Sequence, residues 1–142
     1  MSANVLQYAS PPAPRVRLSR GVLAGRIITG IALLFMAFDV TMKLARVKEA
    51  IEGTAQLGFP TSVVFPLGLI QLACLVLYVI PRTAPLGAVL LTAYLGGAVA
   101  IHVQHANPVF THMLSPVYVA VLLWGGLYLR DARVRDVLGR RR

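Results

Sequence analysis

The three histidines of the chain lie in one short segment, AIHVQHANPVFTH (100–112), at His102, His105 and His112. Imidazoles at this spacing suit a metal site, a site that exchanges protons or binds a polar ligand, or a polar turn between two apolar segments. A metal site needs about four ligands in fixed geometry. HANP predicts a helix end, because the residue before a proline avoids helical geometry and asparagine favours turns. We therefore expect no metal, with His105 in an exposed loop and the other two histidines on opposite arms of a hairpin.

A second group with chemical potential lies in the first apolar segment, where Asp39 and Lys43 are four residues apart and share one helix face. Charges inside lipid are costly unless they are paired or face a wet interior. Two interpretations stay open, a structural ion pair whose lysine reaches toward the interface and a site that binds a ligand or transfers protons. Gln71, near the centre of another apolar segment, can hydrogen-bond between helices. The predicted outward-facing polar pocket comprises Asp39, Lys43, His102, His112 and Gln71.

The composition decides which kind of molecule must position these residues. Of 142 residues, 57% are hydrophobic and 13% are charged, and the mean hydropathy is +0.72. An ordinary soluble domain carries about 25% charged residues, so the composition indicates a membrane protein. The one cysteine, Cys74, excludes an intrachain disulfide and a CxxC redox mechanism.

Four apolar segments approach the roughly 20 residues that cross a bilayer as a helix. They are residues 22–44, 62–80, 86–103 and 115–129. Residues 45–61 are mixed in character and predict a short interfacial helix or an ordered loop. Small residues in GVLAG (21–25), GGAVA (96–100) and GG (125–126) predict close helix packing.

The remaining residues are predicted to be tails of a transmembrane domain at 21–130. Residues 1–20 lack the apolar run of a signal peptide and are interpreted as a flexible cytoplasmic tail. Residues 131–142 are interpreted as a basic cytoplasmic tail. The four spans place 11 of the 14 basic residues on the side of the termini and 3 on the other. The positive-inside rule then places both termini in the cytoplasm.

The net charge of +9 would also suit a protein that binds nucleic acid. Juxtamembrane basic residues instead attract anionic lipid, so no nucleic-acid partner is expected.

Several motifs in order resemble the DoxX-like family of small bacterial membrane proteins, over about residues 26–138. They include FDVTMKL (38–44), AQLGFP (55–60), NPVFTH (107–112) and SPVYVAVLLWGGLYL (115–129). The resemblance implies four transmembrane helices, a bacterial inner membrane, and histidine at positions 102 and 112. The family takes its name from a small subunit of an archaeal quinol oxidase, and most members have no assigned activity. Related sequences often carry Glu where this chain has Gln71, and the loss of that ionisable group argues against a proton pathway.

The expected fold is all-α, an antiparallel bundle of four transmembrane helices. Three function classes stay open. The first is a non-catalytic or accessory membrane component linked to redox or respiratory machinery, with the bilayer, redox-complex subunits or further copies of itself as partners and no cofactor. The second is a membrane enzyme subunit that binds a quinone or a lipid in the polar pocket. The third is a small oligomeric transporter, which ranks last because no inverted repeat or broken helix pair is evident.

Overall fold

A computed structural model describes residues 19–139, and within that range the chain forms helices joined by short turns. The α-helices are α1 (Arg20–Leu44), α2 (Lys48–Gln56), α3 (Val64–Val79), α4 (Ala84–Gln104), α5 (Ser115–Arg130) and α6 (Ala132–Leu138). A 3-10 turn, Thr61–Val63, leads into α3, and a π-helical turn, Val109–Met113, leads into α5. Nearly all of the predicted tail at 1–20, and residues 140–142, lie outside the described residues.

Within the described part of the chain, four segments are long and apolar enough to cross a membrane. They are Arg20–Leu44, Thr61–Val79, Ala84–Gln104 and Val109–Arg130. Helices able to span a membrane are thus present where the four spans are predicted, and α2 lies in the mixed segment between the first two. Large apolar side chains such as Leu34 and Phe38 are 75% and 65% exposed on α1. Lipid accommodates such a surface, whereas a soluble protein avoids large exposed apolar patches.

The four long helices pack as a ring in which each packs along two neighbours, and side chains also meet across the centre. Helix α1 contacts α3 and α5, and α4 contacts the same two helices. The core between them is apolar and includes Met36, Leu91, Leu123 and Leu127. Tyr78 is fully buried there, and its hydroxyl donates a hydrogen bond of 2.7 Å to the carbonyl oxygen of Leu123. That bond meets the requirement that a buried polar group finds a partner.

Helices α1 and α5 approach most closely at two glycines. A Cβ atom on Gly25 would lie 2.8 Å from Cβ of Leu129 and 2.9 Å from the carbonyl oxygen of Gly126. A Cβ atom on Gly126 would overlap Oγ1 of Thr29, at 2.4 Å, and would lie 3.0 Å from the α1 backbone. Glycine is therefore required at both positions, as the small-residue pattern predicts. Gly96 and Gly97 were expected to pack similarly but have no such neighbour within 4 Å.

Contacts between helix ends define two ends of the molecule. At the first, which we call the basic end, Gly25 of α1 meets Leu129 of α5, and Pro81 in the α3–α4 turn accepts a hydrogen bond from Arg133. At the second, which we call the histidine end, Gly68 of α3 lies against Lys43 of α1. Each long helix therefore joins the two ends.

Helix α4 ends where the HANP motif predicts. Its last helical residue is Gln104, and Ala106 adopts a left-handed conformation with φ of 49°. The N–H of Ala106 bonds to the oxygen of Val103, and the N–H of Asn107 bonds to that of His102. This pair of bonds is the Schellman arrangement, which satisfies carbonyls left free at a helix end.

Residues 131–142, interpreted above as a tail, include the helix α6. Asp131 caps its first turn by accepting a 2.9 Å hydrogen bond from the backbone N–H of Arg133. The Arg133 side chain also donates to Asp131 and, at 2.6 Å, to the oxygen of Pro81. Val134 is only 5% exposed and joins the core. The helix therefore covers the basic end of the core.

Candidate functional site

A polar network lies between three of the long helices. The ammonium group of Lys43 in α1 donates hydrogen bonds to Oδ2 of Asp39 at 2.5 Å, to Oε1 of Gln71 in α3 at 2.9 Å, and to the hydroxyl of Tyr94 in α4 at 3.1 Å. We call Asp39, Lys43, Gln71 and Tyr94 the lysine network. The predicted i,i+4 ion pair is present, and its lysine also reaches two other helices.

Gln71 closes the network from α3. It is fully buried, and its Nε2 donates a 2.7 Å hydrogen bond to Oδ2 of Asp39 while its Oε1 accepts from Lys43. The same carboxylate oxygen therefore holds both the ammonium and the amide. A buried amide requires partners at both its oxygen and its nitrogen, and the ion pair supplies both. Gln71 thus links α3 to α1, as its predicted role in hydrogen bonding between helices requires.

The charges of the network are compensated within it. The side chain of Lys43 is 17% exposed, and that of its partner Asp39 is 40% exposed. The Lys43 ammonium also lies 5.4 Å from the centre of the Tyr94 ring, a distance suited to a cation–π interaction. Within residues 19–139, Oδ1 of Asp39 makes no hydrogen bond. This carboxylate oxygen is the open polar atom of the ion pair.

His102 and His112 form a second polar group. Their ring centroids are 5.8 Å apart with an interplanar angle of 67°, an edge-to-face contact. Nδ2 of Asn107 lies 2.9 Å from Nδ1 of His102, and the hydroxyl of Thr111 lies 2.8 Å from Nδ1 of His112. Because an amide nitrogen only donates, Nδ1 of His102 is the acceptor in this contact. The predicted approach of the two histidines across the hairpin is present.

His105 stands apart from this pair. It is exposed, as predicted, and its Nδ1 lies 3.0 Å from the carbonyl oxygen of Ile101 in its own helix. A Cβ atom built on Gly58, in the α2–α3 connection, would lie 3.5 Å from its Nε2. The His105 ring is thus beside that connection. Within the described residues, no three histidine, cysteine or acidic side chains converge to hold a metal ion.

The structure joins three of the five predicted pocket residues directly, namely Asp39, Lys43 and Gln71. Within residues 19–139, no hydrogen bond connects them to His102 or His112. Along α4, His102 lies eight residues beyond Tyr94, or about 12 Å at 1.5 Å per residue. A single pocket containing both groups stays a prediction, and its ligand would have to be elongated.

Tyr94 is the member of the lysine network that the predicted pocket omits. It lies in the middle of a span, whereas tyrosines in membrane helices favour the interfaces. A hydroxyl at that depth needs a polar partner, and this need was the signal that could have placed Tyr94 in the site. The sequence carries no signal for which helix supplies the partner.

Three comparisons with known proteins bear on identity. A family model described as the DoxX-like family matches residues 27–126. Comparison with curated proteins and comparison with solved structures found no match. The matched segment contains the whole lysine network and both histidines of the edge-to-face pair.

Proposed function

Because this chain belongs to the DoxX-like family and has four helices able to span a membrane, we propose that it is an accessory component of a membrane complex, without catalytic chemistry of its own. The family resemblance favours redox or respiratory machinery as the partner. In this role the lysine network holds helices α1, α3 and α4 together.

One observation supports this proposal above the alternatives. An ammonium group has three N–H donors, and Lys43 makes three hydrogen bonds, all inside the network. Gln71 likewise uses both ends of its amide within the network. A residue that binds a substrate or passes protons needs a free donor or acceptor. All three N–H donors of Lys43 are used inside the network, and the Gln71 amide is engaged there at both its oxygen and its nitrogen.

The membrane arrangement belongs to the same proposal. We infer an antiparallel four-helix bundle in a bacterial inner membrane, with both termini in the cytoplasm. The contacts at the two ends of the molecule support the antiparallel order, and the 11 to 3 division of basic residues supports the orientation. The histidine end then faces outward.

The orientation can be tested with single cysteines. The native Cys74 is buried. The test uses a Cys74→Ala background, which removes this thiol and leaves the introduced cysteine as the labelled one. Asn107→Cys should react with an impermeant maleimide on intact cells, whereas Arg82→Cys should react only after the cells are broken. Labelling of Arg82→Cys on intact cells would reverse the orientation.

A second candidate function is supported by the open oxygen of Asp39. The hydroxyl of a quinol, the reduced form of a quinone, or of a lipid headgroup could donate a hydrogen bond to Oδ1, and an elongated ligand could reach His102 and His112. This arrangement would make the chain a ligand-binding subunit of a membrane enzyme. It requires a ligand that enters from the histidine end.

Purification from native membranes distinguishes the two candidates. An accessory component should retain a protein partner at fixed stoichiometry in mild detergent. A variant with Asp39→Leu, Lys43→Met and Gln71→Leu should retain the same partner, because the network acts only within the fold. A chain that purifies alone and loses a bound small molecule in that triple variant would favour the ligand-binding subunit.

A further inference from the structure

A cavity of about 190 Å³ lies at the basic end, far from the lysine network. It is bordered by the first turns of α1, the α3–α4 turn and the last turn of α5. Arg26 from α1 and Arg130 from α5 both line it, together with Ala84, the first residue of α4. Two arginine side chains and the first residue of a helix therefore border one small space.

Among the described side chains, neither arginine is paired with a carboxylate. Within residues 19–139, no ion pair involves Arg26 or Arg130. Nε of Arg130 is buried and has no hydrogen-bond partner there. A buried unsatisfied donor on a charged group is costly, so an anionic acceptor at this point would stabilise the site. The guanidinium of Arg130 is held in place 5.1 Å from the centre of the Tyr78 ring.

The one acidic residue bordering the cavity, Asp131, has its own partner. Its carboxylate accepts hydrogen bonds from the backbone N–H, Nε and Nη2 of Arg133. The hydrogen bond from the Arg133 side chain holds the pKa of Asp131 below its ordinary value, so the carboxylate stays ionised and paired at neutral pH. Asp131 therefore leaves the positive charges of the cavity largely uncompensated.

The start of α4 adds to the attraction for an anion. A helix N-terminus carries a partial positive charge and free backbone N–H groups, and α4 is 21 residues long. This helix end opens on the same cavity as the two arginines. Guanidinium groups bind phosphate through paired N–H donors, which a lysine cannot match.

We propose that the cavity between Arg26, Arg130 and the start of α4 binds a phosphate group, supplied by the headgroup of an anionic phospholipid. The cavity borders the ends of three membrane-spanning helices, where headgroups are present at high local concentration. Basic sites between transmembrane helices suit such headgroups. This site is independent of the proposed accessory function.

The test measures lipid binding to the full chain in a neutral detergent by native mass spectrometry. Phosphatidylglycerol is the probe, and zwitterionic phosphatidylcholine is the comparison lipid. Arg26→Gln and Arg130→Gln should each weaken phosphatidylglycerol binding about tenfold, which is about 1.4 kcal/mol. Phosphatidylcholine should bind more weakly than phosphatidylglycerol, because its choline cation would meet the two arginines.

Arg82→Gln is the matched control. Arg82 is exposed in the α3–α4 turn at the same end of the molecule and does not line the cavity. Its loss should change binding less than about twofold, as for a charge attracted through solvent. Equal weakening by Arg82→Gln and Arg26→Gln would overturn the site in favour of diffuse attraction.

Arg130→Gln also removes the contact with the Tyr78 ring and can disturb the fold, so Arg26→Gln is the decisive variant. Unchanged phosphatidylglycerol binding by a folded Arg26→Gln chain would refute the proposal. Inorganic phosphate tests the source of the phosphate group. Displacement of phosphatidylglycerol by an equal concentration of inorganic phosphate would overturn the lipid assignment, and retention of the lipid is the expected result.

Discussion

Replacing Asp39 by leucine should destabilise the protein more than any other single change in the lysine network. The substitution leaves the Lys43 ammonium, whose side chain is 17% exposed, without a counter-charge. Removing one partner of a buried ion pair costs about 3–5 kcal/mol. The Asp39 side chain is 40% exposed, and Lys43 would keep its hydrogen bonds to Gln71 and Tyr94. We therefore expect no more than the lower end of that range, about 3 kcal/mol.

The effect of removing both charges depends on Gln71. The double variant Asp39→Leu/Lys43→Met has no unpaired charge, but it removes both strong hydrogen bonds of a fully buried amide. An orphaned buried polar group costs about 1–3 kcal/mol, so we expect about 2 kcal/mol for the double variant. Adding Gln71→Leu removes the orphan, and the triple variant should unfold within about 1 kcal/mol of wild type.

The assay is denaturant or thermal unfolding of all variants in one mild detergent. Lys48 and Glu52 provide a matched control, because they form an i,i+4 pair at 3.7 Å with both side chains more than half exposed. Glu52→Ala should cost less than about 0.5 kcal/mol. The reasoning is refuted if Asp39→Leu costs no more than Glu52→Ala, or if the triple variant is as unstable as the single one.

Three further predictions concern the helix contacts and caps. Gly126→Ala should lower stability by about 1–3 kcal/mol, because its methyl group would overlap Oγ1 of Thr29 and press against the α1 backbone. The neighbouring control Gly125→Ala should not, and equal unfolding temperatures for the two variants would contradict this. Ala106→Gly should raise the unfolding temperature slightly, because Ala106 has a left-handed conformation that costs about 1–2 kcal/mol in non-glycine residues. A clear decrease in the unfolding temperature would show that Ala106 is not strained. Arg133 lowers the pKa of Asp131 from its ordinary 3.8. The loss of stability in Asp131→Ala should therefore be constant near neutral pH and shrink as the pH falls through the folded-state pKa. A loss of stability that grows on acidification would disprove this.

The spans and the end of α4 could be predicted from sequence because they depend on local properties. Helix length in a membrane follows from the number of consecutive apolar residues, and HANP stops a helix whatever surrounds it. The i,i+4 placement of Asp39 and Lys43 is local for the same reason. Each of these features requires only the helical repeat and the residue types.

The partners across helices could not be predicted, because they depend on how far each helix is shifted along its neighbours. The predicted pocket groups Asp39 with His102 and His112. In the structure Lys43 bonds to Tyr94, in the middle of α4, and His102 lies about 12 Å further along that helix. Helices α1 and α4 therefore do not end at the same level. How far one helix is shifted along another depends on packing contacts, such as that between Gly25 and Gly126.

The helix α6 was missed for a different reason. Its sequence, ARVRDVL, is rich in charge and has too short an apolar pattern to predict a helix. Its stability comes from the Asp131 cap and from burial of Val134 against the core. Only the cap was visible in the sequence, as an aspartate ahead of a short helical segment.

The most direct test of the central claim, that the lysine network holds helices together and binds no ligand, is the quinone content of the purified full chain. The chain is extracted from native membranes in mild detergent, and quinone is quantified per mole of protein by solvent extraction and mass spectrometry. We predict far less than one quinone per chain, unchanged in the triple variant at Asp39, Lys43 and Gln71. One quinone per wild-type chain, absent from a folded triple variant, would contradict it.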